Sequence, residues 1–165
     1  MALRAVVMGV SGCGKTTVAA AAAEALGVAF VDADDLHPEA NVARMRAGIA
    51  LGDAERWPWL DRVARALAMR APVILACSAL RRSHRDRLRA GAGGPLRFVH
   101  LTGDPALIAA RLAGRRGHYM PPALLDSQIA TLEPPGADEN ALTLDVAAPP
   151  AALVAAVLAD LGGRG

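Results

Sequence analysis

The sequence predicts an α/β fold of three layers, in which a five-stranded parallel sheet lies between two layers of helices. Two observations predict this class. Five short apolar segments alternate with helical segments along the 165 residues, and a glycine-rich turn, Gly9 to Thr16, follows the first of them. Strands joined through helices run parallel with right-handed crossovers. Their carboxyl ends meet at one edge of the sheet, which is where ligands bind.

Each predicted strand is a short apolar run. The runs Val28 to Val31 and Val73 to Cys77 are continuous and do not alternate with polar residues. Continuous apolar runs are typical of strands that are covered on both faces, so we expect five buried strands. The predicted strands are 3–8, 28–31, 73–77, 96–101 and 142–146.

The helices are predicted from apolar spacing and from signals at their ends. Apolar residues recur at helical spacing within 53–70. Gly27 ends the first helix, and Asp104 followed by Pro105 provides an N-cap and a first helical residue for another. The predicted helices are 14–26, 38–47, 53–70, 81–89, 105–112, 122–132 and 150–161. We expect one domain over residues 1–165.

Composition excludes several classes of protein. Hydrophobic residues make up 53% and charged residues 21%, as in ordinary globular chains. The net charge is +2 and no arginine run is interleaved with aromatic residues, which argues against nucleic acid as a partner. No apolar run reaches the length of a membrane span, and no signal-peptide pattern is present. Cys13 and Cys77 make no disulfide framework, so we expect a cytoplasmic protein.

The turn after the first strand fits the phosphate-binding pattern G-x-x-x-x-G-K-[ST]. Its glycines allow a backbone path in which successive N–H groups face an anion at the start of a helix. Lys15, the chain's only lysine, would reach the outer phosphates, and the Thr16 hydroxyl would ligate Mg²⁺. A glycine-rich turn that binds nothing is the alternative. The predicted nucleotide-binding residues here are Gly9, Val10, Ser11, Gly12, Cys13, Gly14, Lys15, Thr16 and Thr17.

Two carboxylates, Asp32 and Asp34, follow the second predicted strand. A hydroxyl that accepts a phosphoryl group must lose its proton, and a fixed carboxylate can take it. A carboxylate at this place can also hold Mg²⁺ through water. One of the acids between Asp32 and Asp35 can instead cap the helix that begins near Pro38.

A basic segment, Gly114 to Pro122, is bounded by glycine and proline and predicts a small exposed lid. Arg115 and Arg116 supply positive charge that can close over a triphosphate and exclude water. A solvated basic turn is the alternative interpretation.

These features favour a small-molecule kinase over other nucleotide-binding proteins. The chain is too short for a motor ATPase. A switch GTPase would carry Asp-x-x-Gly after the third strand and an Asn-Lys-x-Asp guanine reader, and neither occurs. A nucleoside monophosphate kinase stays possible on architecture alone.

Further motifs carry a more specific resemblance. They include His37-Pro38, Pro58-Trp59-Leu60 and Cys77-Ser78-Ala79-Leu80. Together with the phosphate loop and the acidic pair, they closely resemble the P-loop gluconokinases of the thermoresistant type, which are related to shikimate and adenylate kinases. The other matching residues are Asn41, Met45, Gly48, Asp53, Arg56, Arg81, Arg85-Asp86, Arg115, Gly117-His118, Ser127-Gln128, Leu132-Glu133 and Pro135.

The resemblance implies a reaction. ATP and D-gluconate would give ADP and 6-phosphogluconate, with Mg²⁺, in an in-line phosphoryl transfer. It also implies the strand order 2-3-1-4-5, a lid, a substrate-binding segment at about 38–70 and a homodimer. Another metabolite kinase, for shikimate or a nucleotide, and a non-catalytic nucleotide-sensing module are the alternatives.

The resemblance also implies roles for single residues. Asp34 would be the base near the primary hydroxyl, and Asp32, with Thr16, would hold Mg²⁺, although the two carboxylates can be reversed. Arg56 and Arg81 both match family positions, and either can grip the gluconate carboxylate with its two-pronged guanidinium.

The remaining implied roles are less specific. His37 hydrogen-bonds a sugar hydroxyl or is only a turn residue, and Ser78 contacts substrate or caps the next helix. Arg111 and Arg115 would flank the adenine and the phosphates. The implied catalytic residues are Lys15, Asp34 and Arg115. The implied substrate-binding residues are Asp34, His37, Arg56, Ser78, Arg81 and His118.

Overall fold

Five parallel strands form one sheet in the order β2-β3-β1-β4-β5, as expected. The computed structural model describes residues 2–114 and 122–163. The strands are β1 Arg4–Met8, β2 Ala29–Asp32, β3 Val73–Ala76, β4 Arg97–Thr102 and β5 Leu142–Asp145. The α-helices are α1 Lys15–Leu26, α2 Glu39–Arg46, α3 Asp53–Arg70, α4 Arg82–Gly91, α5 Pro105–Ala113, α6 Pro122–Thr131 and α7 Pro150–Gly162.

Two hydrophobic clusters cover the two faces of the sheet. Along β1, Ala5 and Val7 belong to one cluster, with residues of α1, α5 and α7. Val6 and Met8 belong to the other, with residues of α3 and α4. This alternation follows from the two-residue period of a strand, and it produces the predicted three layers.

The two outer strands correct the prediction of five fully buried strands. In β2 only Val31 is buried, and in β5 the side chains alternate between half-buried and exposed. Each of these strands has a neighbour on one side only, so its outer edge and part of its faces meet solvent. The central strands β1, β3 and β4 are buried as predicted.

The topology brings the ends of β1, β2 and β3 together. Val7 lies opposite Ala76, and Asp32 lies opposite Ala76 from the other side. The Gly9 N–H donates to the Ser78 carbonyl over 3.3 Å, which ties the phosphate-loop segment to the residues after β3. Three segments predicted to bind ligands therefore share one edge of the sheet.

Two short 3₁₀ helices, Ala33–Leu36 and Ala137–Glu139, were not predicted. The predicted lid at 114–122, with Arg115 and His118, lies outside the described residues apart from its two ends. In the described part of the chain, no helix is both long and apolar enough to cross a bilayer.

Candidate active site

The phosphate-loop segment has the backbone path that its glycines predict. Gly9, Gly12 and Gly14 all have positive φ, and Gly14, at φ +92°, immediately precedes α1. A Cβ at Gly9 would lie 2.7 Å from both Cys13 Sγ and Leu101 O, so this position accepts only glycine. The loop backbone at Gly9 therefore packs directly against β4.

The N-terminus of α1 is open to an anion. Gly14 caps it without a side chain, and the first turn has no acidic residue. The first N–H groups of a helix have no partner within the helix, and the helix dipole favours negative charge there. The half-buried Lys15 lies in the same turn and lines the adjoining cleft. This arrangement suits a phosphate group.

A cleft of about 430 Å³ adjoins this loop. Most of the predicted site residues line it. These are Ser11, Gly12, Gly14, Lys15, Thr16, Asp32, Asp34, His37, Arg56 and Ser78. A single open volume therefore contains the phosphate loop, both carboxylates and a cation.

Other predicted site residues do not line the cleft. Val10 and Cys13 are buried in the core, and Thr17 is exposed outside it. The Arg111 guanidinium donates to the Val146 carbonyl over 2.6 Å, beyond β5. Gly9 and Arg81 are likewise absent from the cleft lining that the described residues form. Cys13 packs in the hydrophobic core as a small apolar side chain.

Asp32 is held by two hydrogen bonds. Its Oδ1 accepts from the Asp34 N–H over 3.0 Å and caps the first 3₁₀ helix, while its Oδ2 accepts from Thr16 Oγ1 over 3.3 Å. Burial raises the pKa of Asp32, and the nearby carboxylates of Asp34 and Asp35 add to the rise. A cation here would relieve this crowding of negative charge.

Asp34 is exposed in the cleft and differs from Asp32 in its contacts. Its backbone N–H is used by Asp32, but among residues 2–114 and 122–163 its carboxylate makes no hydrogen bond or ion pair. The Asp34 carboxylate is therefore available to accept a proton from a substrate hydroxyl. Asp32, two residues before it, is held in place.

Arg56 is the better placed of the two candidate arginines. It projects from α3 into the cleft, and its side chain is only 11% exposed. Its one ion pair among the described residues is a long contact of 3.8 Å to Asp53. Arg81 lies on the other side of Asp53 at 3.9 Å, with its side chain 45% exposed. Of these two arginines, only Arg56 lines the cleft.

Asp53 is fixed by a buried histidine. His84 Nδ1 accepts from the Arg81 N–H over 3.2 Å, so the ring carries its proton on Nε2 and donates it to Asp53 Oδ1 at 3.1 Å. This hydrogen bond is the main reason that the pKa of Asp53 is lowered. The contact joins the starts of α3 and α4.

His37 is a neutral donor at the wall of the cleft. It stacks on Trp59 with ring centroids 4.1 Å apart, and burial lowers its pKa to about 4. The Asn41 amide nitrogen lies 3.3 Å from His37 Nδ1 and also donates to the Glu55 carbonyl. Because Asn41 donates to Nδ1, the ring proton is on Nε2, which can donate to a substrate oxygen.

The two tryptophans pack against different neighbours, and Trp59 also lines the cleft. Trp59 is 2% exposed, and its indole N–H donates to the Ala33 carbonyl over 2.7 Å. Trp57 contacts His84 edge-on, with Arg87 over its ring, away from the cleft. Trp59 thus supports His37 and the residues after β2, while Trp57 packs against α4.

A buried ion pair shapes the segment after β3. Arg85, which is fully buried, donates to the carbonyls of Ala79 and Leu80 over 2.8 and 3.3 Å. It also forms a two-pronged pair with Glu139, at 2.7 and 3.1 Å. Ala79 has a φ of +45°, an uncommon angle for alanine that these contacts hold. The pair fixes Ser78 at the cleft.

Three polar residues of the cleft were not predicted as site residues. Arg46, at the end of α2, lines it, and so do Ser127 and Gln128 of α6. Among the described residues Arg46 makes no ion pair. Its place at the end of a short, polar helix gave no signal. Gln128 was noted only as part of a family motif.

Comparison with known proteins settles the family. A family model described as an AAA domain matches residues 5–135. The chain is 50% identical over 138 residues to a gluconokinase of Gluconobacter oxydans (strain 621H), which covers 81% of this chain and 77% of that protein. It is 41% identical over 158 residues to the thermoresistant gluconokinase of Escherichia coli (strain K12), which covers 93% and 90%. The chain belongs to the gluconokinase family.

A solved structure agrees with this membership. The chain superposes on the crystal structure of a gluconokinase from Sinorhizobium meliloti 1021 with a TM-score of 0.90. The two sequences are 47% identical, and the match covers 98% of this chain and 93% of that one. The predicted resemblance and fold class are confirmed. As a gluconokinase-family member with a phosphate-binding loop, the chain is a kinase that uses ATP and a small-molecule substrate.

Proposed function

We propose that this chain transfers the terminal phosphoryl group of ATP to D-gluconate and releases ADP and 6-phospho-D-gluconate. The observation that carries the proposal is the composition of the cleft. The open N-terminus of α1 with Lys15, the Asp34 carboxylate and the Arg56 cation share one volume. Within residues 2–114 and 122–163 that carboxylate makes no ion pair. A sugar acid needs these three functions: a phosphate site, a base for its hydroxyl and a cation for its carboxylate.

The residues around the loop fit Mg²⁺. Thr16 and Asp32 offer two hard oxygen ligands in contact with each other, beside the phosphate loop. Mg²⁺ in kinase sites typically takes one or two protein oxygens and completes its shell with phosphates and water. The described residues form no cluster of three or more His, Cys, Asp or Glu side chains, as suits such a site. The ion would neutralise the charge that develops on the phosphates.

The chain's own groups then divide the work. Asp34 takes the proton of the attacking hydroxyl, and Lys15 holds the phosphate that is transferred. Arg56 binds the gluconate carboxylate, and His37 Nε2–H donates to a hydroxyl of the sugar chain. The catalytic role of Arg115, the substrate-binding role of His118 and the nucleotide-binding role of Arg111 stay predictions. So do one kinase domain over 1–165, a homodimer, a cytoplasmic location and the lack of nucleic-acid or membrane partners.

A panel of acceptors tests this function. Initial rates of ADP release are measured with MgATP and each of D-gluconate, shikimate, AMP and D-glucose. Gluconate is expected to give by far the highest kcat/KM, because only it presents both a carboxylate for Arg56 and a primary hydroxyl for Asp34. A faster rate with shikimate or AMP would assign a different acceptor. ATP binding without turnover on any acceptor would indicate a nucleotide-sensing module.

A further inference from the structure

A side chain from α6 occupies one backbone amide of the phosphate loop. The Ser11 N–H donates to Gln128 Oε1 over 2.7 Å, between residues 117 positions apart in the chain. A backbone N–H only donates, so the Gln128 atom that meets it is the carboxamide oxygen, and the orientation of the amide is fixed. The amide nitrogen of Gln128 is therefore turned away from this contact.

The face of α6 that carries Gln128 forms a wall of the cleft. Leu124, Ser127 and Gln128 line it, at the spacing of one helical face. The end of α6 is anchored, because the Glu133 N–H donates to the Leu80 carbonyl over 2.7 Å and the Glu133 carboxylate accepts from the Arg82 N–H. Gln128 is thus presented from a rigid support that also contacts the segment after β3.

The free end of the Gln128 amide is a pair of neutral donors. Among the described residues the amide nitrogen of Gln128 has no hydrogen-bond partner. It is not among the buried polar atoms without a partner, so it is accessible from the cleft. It is therefore open to a ligand in the cleft. Because nitrogen and oxygen share one carbon, the NH₂ group lies immediately beside Ser11.

The chemistry of this donor favours the acceptor over the nucleotide. The Ser11 N–H is already used by a neutral oxygen, whereas the N–H groups at the start of α1, beside Lys15, have no side-chain cap and suit phosphate. The cleft also offers charged side chains, among them Lys15 and Arg56, to the anionic groups of its ligands. A neutral NH₂ donor complements the uncharged hydroxyl oxygens of a polyol.

We propose that Gln128 positions the sugar acid for transfer. Its oxygen is held by the Ser11 N–H, and its NH₂ group donates to a hydroxyl oxygen of the acceptor next to the phosphate loop. The inference rests on the proposed function, since it names a further contact for the same acceptor. It assigns to α6 a part in acceptor recognition, alongside Arg56 of α3 and His37 after β2.

Three variants separate this role from a structural one. Q128E keeps an oxygen for the Ser11 N–H but replaces the donor by a second acceptor, and Q128L removes both ends of the amide. D126N is the matched control, because Asp126 is exposed on the same helix and does not line the cleft. For each protein, kcat, the KM for gluconate and the Kd for MgATP in the absence of acceptor are measured.

The expected result is a split between the two substrates. Q128E and Q128L raise the KM for gluconate by about 5–150-fold, which corresponds to the loss of about 1–3 kcal/mol when a hydrogen-bond partner is left unpaired. The Kd for MgATP changes less than twofold in Q128E, and D126N matches the wild type in all three constants.

Two outcomes would overturn the inference. Wild-type constants in Q128E would mean that only the oxygen matters and that Gln128 merely caps the Ser11 N–H. A rise confined to the Kd for MgATP would place Gln128 in the nucleotide site. Failure of the proposed function looks different, because the wild type itself would then show no turnover with gluconate.

Discussion

Thr16 Oγ1 donates a hydrogen bond of 3.3 Å to Asp32 Oδ2, and this contact joins the first turn of α1 to the end of β2. It brings the only two side chains proposed as Mg²⁺ ligands together, from segments 16 residues apart. The same carboxylate holds the Asp34 N–H through its other oxygen. The metal site and the base of the proposed reaction are therefore built on one carboxylate.

The metal assignment predicts a change in the requirement for Mg²⁺. Asp32→Asn is expected to raise the Mg²⁺ concentration for half-maximal activity by about 10–100-fold, the usual effect of disturbing such a shell. Thr16→Val should act in the same direction, whereas Thr16→Ser keeps the hydroxyl and should stay near the wild type. Titrations of activity with Mg²⁺ at saturating ATP measure this. An unchanged Mg²⁺ dependence in both Asp32→Asn and Thr16→Val would remove these residues from the metal site.

The base assignment predicts a loss in the chemical step. Asp34→Asn is expected to lower kcat by about 10²–10⁴-fold, the usual contribution of a positioned base, with little change in ATP binding. Asp35→Asn is the control, because Asp35 is an exposed neighbour outside the cleft. Steady-state rates and ATP titrations on the same preparations give both quantities. Near-normal turnover in Asp34→Asn would show that another group takes the proton.

The carboxylate assignment predicts a difference between two arginines. Arg56→Met is expected to raise the KM for gluconate by about 10–100-fold, since a hydrogen bond to a charged group is worth about 1.5–3 kcal/mol. Arg81→Met should change it far less, because Arg81 lies outside the cleft lining. Full kinetic curves with gluconate measure both. The opposite order of the two effects would assign the carboxylate to Arg81.

His37 predicts a dependence of stability on pH. Its pKa of about 4 in the folded chain lies below the ordinary 6.5, so between these values the unfolded chain binds the proton more readily. The contribution of neutral His37 to the free energy of unfolding is therefore complete above pH 6.5. It is lost as the pH falls towards 4, because the unfolded chain takes up the proton first. Denaturant unfolding at a series of pH values should show less of this decline in His37→Gln. An NMR titration of the ring that gave a pKa near 6.5 would contradict the buried, neutral state.

The Arg85–Glu139 pair predicts a large loss of stability when it is broken. The Glu139 side chain is 1% exposed. Burial alone would raise the pKa of Glu139, but hydrogen bonds from Arg85, Arg89 and the Gly136 N–H hold it at about 2. Glu139→Gln leaves a buried guanidinium without its charge partner, which costs about 3–5 kcal/mol in the free energy of unfolding.

Denaturant unfolding of Glu139→Gln measures this loss, with Asp138→Asn as the control. Asp138 pairs with Arg82 on the surface, where no measurable change is expected. Since the pKa of Glu139 is lowered, its stabilisation is present above about pH 4.5 and is lost as the pH falls towards 2. A change in Glu139→Gln no larger than in the control would mean that the pair does not stabilise the fold.

Much of this architecture follows from sequence pattern because local signals are strong in it. The helix over 53–70 has the predicted bounds, and the phosphate loop, Asp32 and Asp34 all lie at the sheet edge where the parallel topology places them. The edge strand β5 was misjudged, although its alternation of leucine with Thr143 and Asp145 is the pattern of a half-buried strand. The short 3₁₀ helix at Ala33–Leu36 depends on the Asp32 cap and has no periodic pattern.

Contacts between distant segments could not be predicted in the same way. Sequence left Arg56 and Arg81 equivalent. The packing of α3 beside the cleft distinguishes them, because Arg56 is nearly buried and lines the cleft whereas Arg81 is exposed outside its lining. Gln128 meets Ser11 only because α6 crosses the cleft. Such pairings depend on tertiary packing and carry no local signal.

The most direct test of the whole account follows the phosphorus atom. Wild-type chain, MgATP and D-gluconate are incubated together and monitored by ³¹P NMR, with Lys15→Ala as the matched control. The γ-phosphate signal of ATP is expected to be replaced in equal amount by a phosphomonoester signal that needs gluconate and is absent with Lys15→Ala. Loss of the γ-phosphate signal to inorganic phosphate alone, or no loss with gluconate present, would contradict it.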